Sequence, residues 1–276
     1  MDAEKRKSGL PSYLSSLQSA GQVVFARENA LRELGMGSGA FLDAAERLQK
    51  QGRLISPRQG FYIVVPPQYL GWGAPPPNWY IDDLMRHEAH PYYVGLLKAA
   101  ELHGATHQAV MEFQVVTDKR LPRLSAGRAA LSFYYRKDMA GCEGGIEDYK
   151  TDTGRMKISS VELTVFDLLR YPHAAGGLDN IATVLLDLGD KISSEKLAAL
   201  APAFERRVVQ RVGWLLDRMG YKDRAERLHE YISEVSLLSW VELESESAKE
   251  PHFASQPLEK NKRWKIIVRR YPEVDE

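Results

Sequence analysis

Basic side chains near the start of the sequence have the types and spacing needed to bind a nucleic-acid duplex. Lysine and arginine neutralise phosphates, and arginine and glutamine can also read base edges in the major groove. The candidate contacts to double-stranded DNA are Ser38, Asp43, Arg47, Lys50, Arg53, Arg58 and Gln59. The alternative is a small helical subdomain whose charges only face solvent.

A second basic stretch covers residues 119–137, which hold six Lys or Arg residues and no acid. Its arginines interleave with Phe133, Tyr134 and Tyr135. Arginine and aromatic side chains together can hold phosphates and stack on bases. We therefore expect a second nucleic-acid surface formed by Arg120, Arg123, Arg128 and Arg136. The alternative is a hairpin with a solvated face, since side chains alternate along a strand.

Histidine pairs raise the question of a metal site. His87 and His90 are three residues apart, and His103 and His107 are four apart. Histidines at helical spacing can share a zinc ion. However, Gly104 is expected to end the helix between the second pair, and no HExxH motif is present. We expect hydrogen-bonded or surface histidines and no metal.

No catalytic constellation stands out. Asp82, Asp83 and Glu88 are candidate magnesium ligands. However, acidic residues in the first turn of a helix also interact favourably with the positive N-terminal end of the helix dipole. The glycine-rich stretches match neither a P-loop nor a dinucleotide fingerprint, and no GxSxG elbow occurs. Cys142 lies in an acidic, glycine-rich loop that disfavours the thiolate. We therefore expect no enzyme activity and no cofactor.

Composition and charge limit the remaining classes. The 276 residues suggest about two domains. The single cysteine excludes an internal disulfide and suggests a reducing compartment. The 37 basic and 37 acidic residues cancel, so a global basic field is absent. No signal peptide or apolar run long enough for a membrane span is visible. We expect a cytoplasmic protein.

The order of the helices and strands around the first set of basic residues predicts a winged helix-turn-helix over residues 1–66. The pattern is a helix from Pro11, a short strand at 23–25, helices at 27–34 and 39–51, and a hairpin around 57–60. Ser38 is expected to cap the third helix. This helix would be the recognition helix in the major groove, and the hairpin would be the wing.

The segment 67–77 is rich in proline and glycine, which predicts a linker between separable domains. Residues 78–276 are expected to form a larger α+β domain with a small sheet and a helical C-terminal half. Ser160 is a candidate cap of the helix VELTVFDLLRYP. Helices are expected near 78–88, 91–103, 178–188, 194–200, 204–219 and 223–232, and strands at 111–117, 129–135, 155–159 and 263–268.

The order of these segments resembles the AbiEi family of antitoxins from bacterial type IV toxin–antitoxin systems, from about Leu10 to Val268. The resemblance rests on three strings, which are LISPRQGFYIVVPPQY, YIDDLMRHEAHPYYVGLLKAAELHGATHQAVMEFQVVT and KISSVELTVFDLLRYPHAAGGLDNIATVLLDL. None contains a catalytic signature.

The resemblance implies a winged helix that binds and represses the promoter of its own operon, with a second copy possible on a repeated operator. It also implies a larger domain that opposes a nucleotidyltransferase-like toxin without a stable toxin complex. A winged-helix regulator unconnected to a toxin is the first alternative. An enzyme that acts on nucleic acid is the second.

Overall fold

The computed structural model describes residues 9–105, 110–234, 238–244 and 256–274. Helices and strands both contribute, which confirms the predicted α+β class. The chain divides into two compact units. The first unit comprises Met1–Tyr92, Met111–Tyr135 and Asp148–Lys157, and the second comprises Tyr93–Val110, Arg136–Glu147 and Ile158–Glu276.

The N-terminal part of the first unit has the predicted order of elements. These are α1 (Leu10–Ser19), β1 (Val24–Ala26), α2 (Arg27–Leu34), α3 (Ser38–Lys50), β2 (Leu54–Arg58) and β3 (Phe61–Val64). The three strands form an antiparallel sheet in the order β1-β3-β2. Gly35, with φ 58°, ends α2 in the left-handed conformation that glycine adopts without strain.

Aromatic packing fixes the orientation of α3. The rings of Phe25 and Tyr62 stack with centroids 5.3 Å apart, and Phe41 meets Tyr62 edge to face at 5.4 Å. Phe41, Ala45 and Leu48 are all buried. Since these positions follow the helical repeat, the opposite face of α3 is left to solvent.

The predicted capping role of Ser38 is wrong. Gly37 is the N-cap of α3, and no side chain caps that end. The helix begins one residue earlier than expected, so Ser38 is its first residue. Its hydroxyl instead accepts a hydrogen bond from the guanidinium of Arg27, at the start of α2.

A six-stranded sheet follows in the chain, with strand order β6-β7-β5-β4-β9-β8. Its strands are β4 (Tyr92–Val94), β5 (Glu112–Thr117), β6 (Leu124–Ala126), β7 (Ala129–Tyr135), β8 (Ile146–Thr151) and β9 (Gly154–Ser159). β5 and β7 are parallel, with Glu112 opposite Ala130, and β6 and β7 are antiparallel. The sequence predicted β5, β7 and β9 but missed the others.

The predicted helix from Pro91 to His103 is wrong in its first half. Tyr92–Val94 form β4, and helix α5 covers only Leu96–Leu102. Tyr92, Tyr93 and Val94 are all buried, and aromatic and β-branched side chains suit such a strand. Here burial in a sheet outweighs the helix-start signal of the proline.

The remaining helices are α4 (Ile81–Glu88), α6 (Val161–Arg170), α7 (Gly177–Leu188), α8 (Ser194–Leu200), α9 (Arg206–Arg218) and α10 (Lys222–Ser233). The hydroxyl of Ser160 accepts a hydrogen bond from the backbone N–H of Leu163 at 3.3 Å, which confirms the predicted cap of α6. A small sheet in the order β10-β12-β11 lies near the C-terminus. Its strands are β10 (Val241–Glu242), β11 (Glu259–Asn261) and β12 (Ile266–Val268).

The proline-rich segment 67–77 does not separate compact units, because residues on both of its sides belong to the first unit. Ala74 and Pro75 within it are buried. Across it, the Nε of Arg58 lies 2.9 Å from a carboxylate oxygen of Glu88. The structure therefore divides the chain elsewhere than between 1–66 and 78–276. The segment holds a short 3-10 helix at Pro67–Tyr69 and no α-helix or strand, so its prolines limited regular structure without preventing its packing.

We expect a fragment that begins at Asn78 to be less protected than the full chain in α4 and around β6. Removal of the preceding residues would leave Glu88, whose side chain is 16% exposed, without Arg58. An unpaired carboxylate at such a site is costly. Hydrogen exchange compared between the fragment and the full chain tests this. Equal protection of α4 in both proteins would restore the linker interpretation.

Within the described residues, no helix combines the length and apolar character needed to cross a bilayer.

Candidate nucleic-acid interface

The exposed face of α3 carries the first group of predicted contacts. Arg47, Lys50 and Asp43 are all exposed. Arg47 donates from Nε to the carbonyl of Asp43 at 3.1 Å, within its own helix. Lys50 pairs with Glu46 at 2.7 Å, with side chains 73% and 62% exposed. An ion pair this exposed contributes little to stability, so Lys50 can exchange Glu46 for a phosphate at little cost.

Two neighbours extend this face. Arg53, which follows α3, is exposed. Ser38, at the other end of the helix, is exposed and is held by the Arg27 guanidinium. The structure therefore keeps Ser38, Asp43, Arg47, Lys50 and Arg53 accessible along one helix and its ends.

The hairpin places its two predicted contacts differently. Arg58 is the last residue of β2, and its side chain is only 20% exposed. Besides Glu88, its guanidinium donates to the carbonyl of Pro122 at 3.0 Å and lies 5.9 Å from the Phe133 ring centroid. Its predicted role as a DNA contact conflicts with this geometry, since binding a phosphate would leave Glu88 unpaired.

Gln59 is exposed at the turn of the hairpin. Its backbone carbonyl lies 3.0 Å from Nε2 of His87, and the His87 ring packs against Phe61 with centroids 5.4 Å apart. The turn is thus tied to α4 through its backbone, while the amide side chain of Gln59 stays accessible.

The histidines considered for a metal have other partners. Nδ1 of His90 lies 2.8 Å from a carboxylate oxygen of Asp118, and Nε2 of His103 lies 2.8 Å from the carbonyl of Ser159. His107 lies outside the described residues. Among the residues that the structure does describe, no three His, Cys, Asp or Glu side chains are grouped to hold a metal ion. Asp82 and Asp83, at the start of α4, pair with Arg86.

Three of the four arginines of the second basic stretch are exposed. The guanidinium of Arg120 lies 4.8 Å from the ring centroid of Tyr135, and that of Arg128 lies 5.6 Å from the ring centroid of Trp72. Arg123 pairs with Glu112 at 2.9 Å. Trp72 was missed by the sequence reasoning, although a tryptophan in a proline-rich segment that disfavours α-helix and strand is itself a signal.

The fourth arginine, Arg136, is only 1% exposed and cannot belong to a surface, so that prediction is wrong. Its guanidinium lies 3.2 Å from Asp167 and 4.3 Å from the ring centroid of Phe204, and it donates to the carbonyls of Asp138 and Ala203 at 2.9 and 2.8 Å. A basic run in a sequence cannot reveal a carboxylate 31 residues away that draws one member into the core.

Burial controls the electrostatics around Arg136. It raises the pKa of the Asp167 carboxyl to about 6, against the opposing effects of Arg136 and of the Tyr93 hydroxyl. Tyr93 donates to Asp167 at 2.7 Å. Arg136, Asp167 and Tyr93 therefore form a buried, hydrogen-bonded cluster in the second unit.

We expect Cys142 to resist thiol reagents in the native protein. It is fully buried, and burial raises the pKa of its thiol to about 12. Because the thiolate is the reactive form, labelling with a chromogenic disulfide at pH 8 should proceed only after unfolding. Cys142 is the sole cysteine of the sequence, so the signal is unambiguous. Rapid native labelling would contradict the described burial.

Comparison with known proteins shows a family similarity for part of the chain. Residues 93–218 match the family model of the AbiEi antitoxin C-terminal domain. This part of the chain is similar to AbiEi antitoxin C-terminal domains. The match begins at the first residue of the second unit and includes the exposed arginines 120, 123 and 128. It supports an antitoxin role and confirms the family resemblance over this range.

The fold also has a solved counterpart. The crystal structure of the RV2827C protein from Mycobacterium tuberculosis superposes with a TM-score of 0.66 at 19% sequence identity. The similarity covers 93% of this chain and 89% of that one. The fold described above, including the residues before position 93, therefore has a known structural counterpart. No curated protein sequence matches the chain significantly.

Proposed function

We propose that this protein is a type IV antitoxin that represses its own operon and counters a nucleotidyltransferase-like toxin. The observation that carries the proposal is the AbiEi antitoxin C-terminal domain at residues 93–218. The proposal assigns the protein no catalytic step and no cofactor. It places the protein in the cytoplasm, where both the operon and the toxin act.

The N-terminal elements support a winged helix-turn-helix as the DNA reader. Helices α2 and α3 are joined by a short turn with two glycines, and a hairpin follows. In this motif the second helix of the pair enters the major groove. Here α3 would do so, with Arg47, Lys50 and Arg53 on phosphates or base edges and Ser38, Asp43 and Gln59 beside them.

The antitoxin action is assigned to the exposed arginines of the AbiEi domain. An antitoxin that forms no stable toxin complex must act on a target or cofactor that the toxin also uses, or must reverse its modification. A nucleotidyltransferase works on phosphate-bearing molecules, so a cationic surface suits the shared target. Arg120, Arg123 and Arg128 provide such a surface, because each is exposed within the matched range.

An electrophoretic mobility shift with the DNA upstream of the gene tests the DNA-binding half of the proposal. We expect retarded complexes that survive an excess of unrelated duplex, with a second band if two copies occupy a repeated operator. The same fragment in front of a reporter gene should be repressed when the protein is supplied. Equal affinity for unrelated DNA would contradict autorepression.

A further inference from the structure

Trp72 is an exposed aromatic side chain held in a fixed place. Its side chain is 61% exposed, and the neighbouring Leu70 is 47% exposed. Exposed apolar groups mark a binding surface when they form a contiguous patch, so the surroundings of Trp72 decide its role. The Arg128 guanidinium lies over the Trp72 ring, 5.6 Å from its centroid.

The backbone fixes this pair. The N–H of Arg128 donates to the carbonyl of Trp72 at 2.9 Å. Gly127, with φ 57°, precedes Arg128, and a Cβ at this position would clash with the Trp72 carbonyl and lie 2.7 Å from the backbone N of Ala74. Only glycine allows the two loops to approach this closely. The backbone positions from which Trp72 and Arg128 project are therefore held side by side.

A groove of about 400 Å³ lies beside the pair. Its walls include Tyr69, Trp72, the prolines at 75–77 and Arg128. The walls are rigid, since proline rings fix the backbone and the Tyr69 ring meets the Trp79 ring edge to face at 5.1 Å. A flat apolar platform bordered by a cation suits a base and its phosphate.

The charge of the same segment selects the occupant. Lys119, Arg120, Arg123 and Arg128 are all exposed, and residues 119–137 contain no acid. A proline-rich peptide would fit the aromatic and proline walls but would gain nothing from these cations. A polyanion with flat, unpaired bases uses both features.

We propose that the Trp72–Arg128 pair is a stacking site for single-stranded nucleic acid. One base stacks on Trp72, the adjacent phosphate lies on Arg128, and the strand continues towards Arg120. Arg120 lies over Tyr135 at the far end of β7, which is about 20 Å long. This proposal names the ligand class of the antitoxin surface proposed above. Only the biological role of the site rests on that proposed function, and the binding itself does not.

The test titrates the full chain with fluorescein-labelled 12-nucleotide oligo-U and oligo-dT and follows anisotropy. Both should bind, because stacking and phosphate contacts do not read the sugar. Trp72→Ala should weaken both by about fivefold or more, since one stacked base contributes on the order of a fivefold to hundredfold gain. Trp72→Phe should keep most of the affinity. Arg128→Ala should make the slope of log binding constant against log salt concentration (the salt slope) shallower by about 0.7, which is the contribution of one phosphate of a single strand.

Trp240 provides the matched control. It is 41% exposed and lies under a cation, Lys265, 5.1 Å from its ring centroid, but it is outside the basic segment. Trp240→Ala should bind the oligonucleotides as the unchanged protein does. The proposal is overturned if Trp72→Ala binds normally, if Trp240→Ala loses as much, or if the protein binds a proline-rich peptide and neither oligonucleotide.

The failure of this site can be told from the failure of the operator-binding proposal. Trp72→Ala should leave the mobility shift of operator duplex unchanged, because α3 carries those contacts. Conversely, replacement of Arg47 and Lys50 should leave oligo-U binding intact. A Trp72→Ala protein that loses operator duplex to the same degree as oligo-U would show one general cationic surface and overturn the stacking site.

Discussion

Replacing Arg136 with Met should lower the free energy of unfolding by about 3–5 kcal/mol, because it leaves the buried Asp167 carboxyl without its charged partner. Both side chains of this ion pair are fully buried. The Asp138 and Ala203 carbonyls also lose their donor. Urea unfolding followed by circular dichroism measures the loss. Arg120→Met is the matched control, since Arg120 is exposed, and it should cost less than about 0.5 kcal/mol.

The pH dependence separates this explanation from simple loss of packing. Burial already raises the pKa of Asp167 to about 6, and removal of Arg136 would raise it further. The variant then keeps a proton on Asp167 in its folded state at a pH where its unfolded state has released it. Its stability therefore falls more than that of the unchanged protein as pH rises above about 6. A deficit that is constant from pH 5 to pH 8 would contradict the ion pair as its source.

The Arg136→Met, Asp167→Leu double variant gives a further check. With both charges removed, no unpaired charge remains in the core. Replacing a buried pair by apolar side chains is often neutral or stabilising. We expect the double variant to be more stable than Arg136→Met alone, and a strictly additive loss would count against coupling of the two residues.

Replacing Arg47 and Lys50 together with Ala should make the slope of log binding constant against log salt concentration shallower by about 1.8 for the operator. Each phosphate contact to duplex DNA contributes about 0.9 to this slope. Both residues lie on the exposed face of α3 and make only weak contacts within that helix. The fold should be unaffected. Binding isotherms at several salt concentrations give the slope, and an unchanged slope in the folded variant would exclude α3 as the reader.

Arg58→Ala provides the contrast for this experiment. Because Arg58 is held by Glu88 and the Pro122 carbonyl, its loss should reduce stability and leave the salt slope of operator binding nearly unchanged. A slope reduced by a full phosphate contact, with no change in stability, would restore Arg58 as a DNA contact.

Local patterns in the sequence predicted much of the fold, because helix caps, apolar stripes and turns depend on neighbouring residues. The helix expected near 204–219, for example, is α9 (Arg206–Arg218), which buries Val208, Val212 and Leu215. Ser160 caps α6 as predicted, because the capping hydrogen bond joins two residues close in the sequence, Ser160 and Leu163. The class of the fold followed from such local signals.

Long-range contacts account for what the sequence could not predict. Arg136 and Arg58 belong to basic runs by sequence, but Asp167 and Glu88 draw them into packed positions. The segment 67–77 has the composition of a linker and still packs, since the Gly127 turn meets Trp72 only in three dimensions. Ion pairs between residues 30 or more positions apart produce no periodic pattern in the sequence, so the sequence could not predict them.

The growth of cells that express this protein together with the nucleotidyltransferase-like gene expected in its operon tests the central claim most directly. Expression of that gene alone should arrest growth, and co-expression of this protein should restore it without a stable complex of the two proteins on affinity purification. Arrest that persists in the presence of folded, full-length protein would contradict the antitoxin assignment.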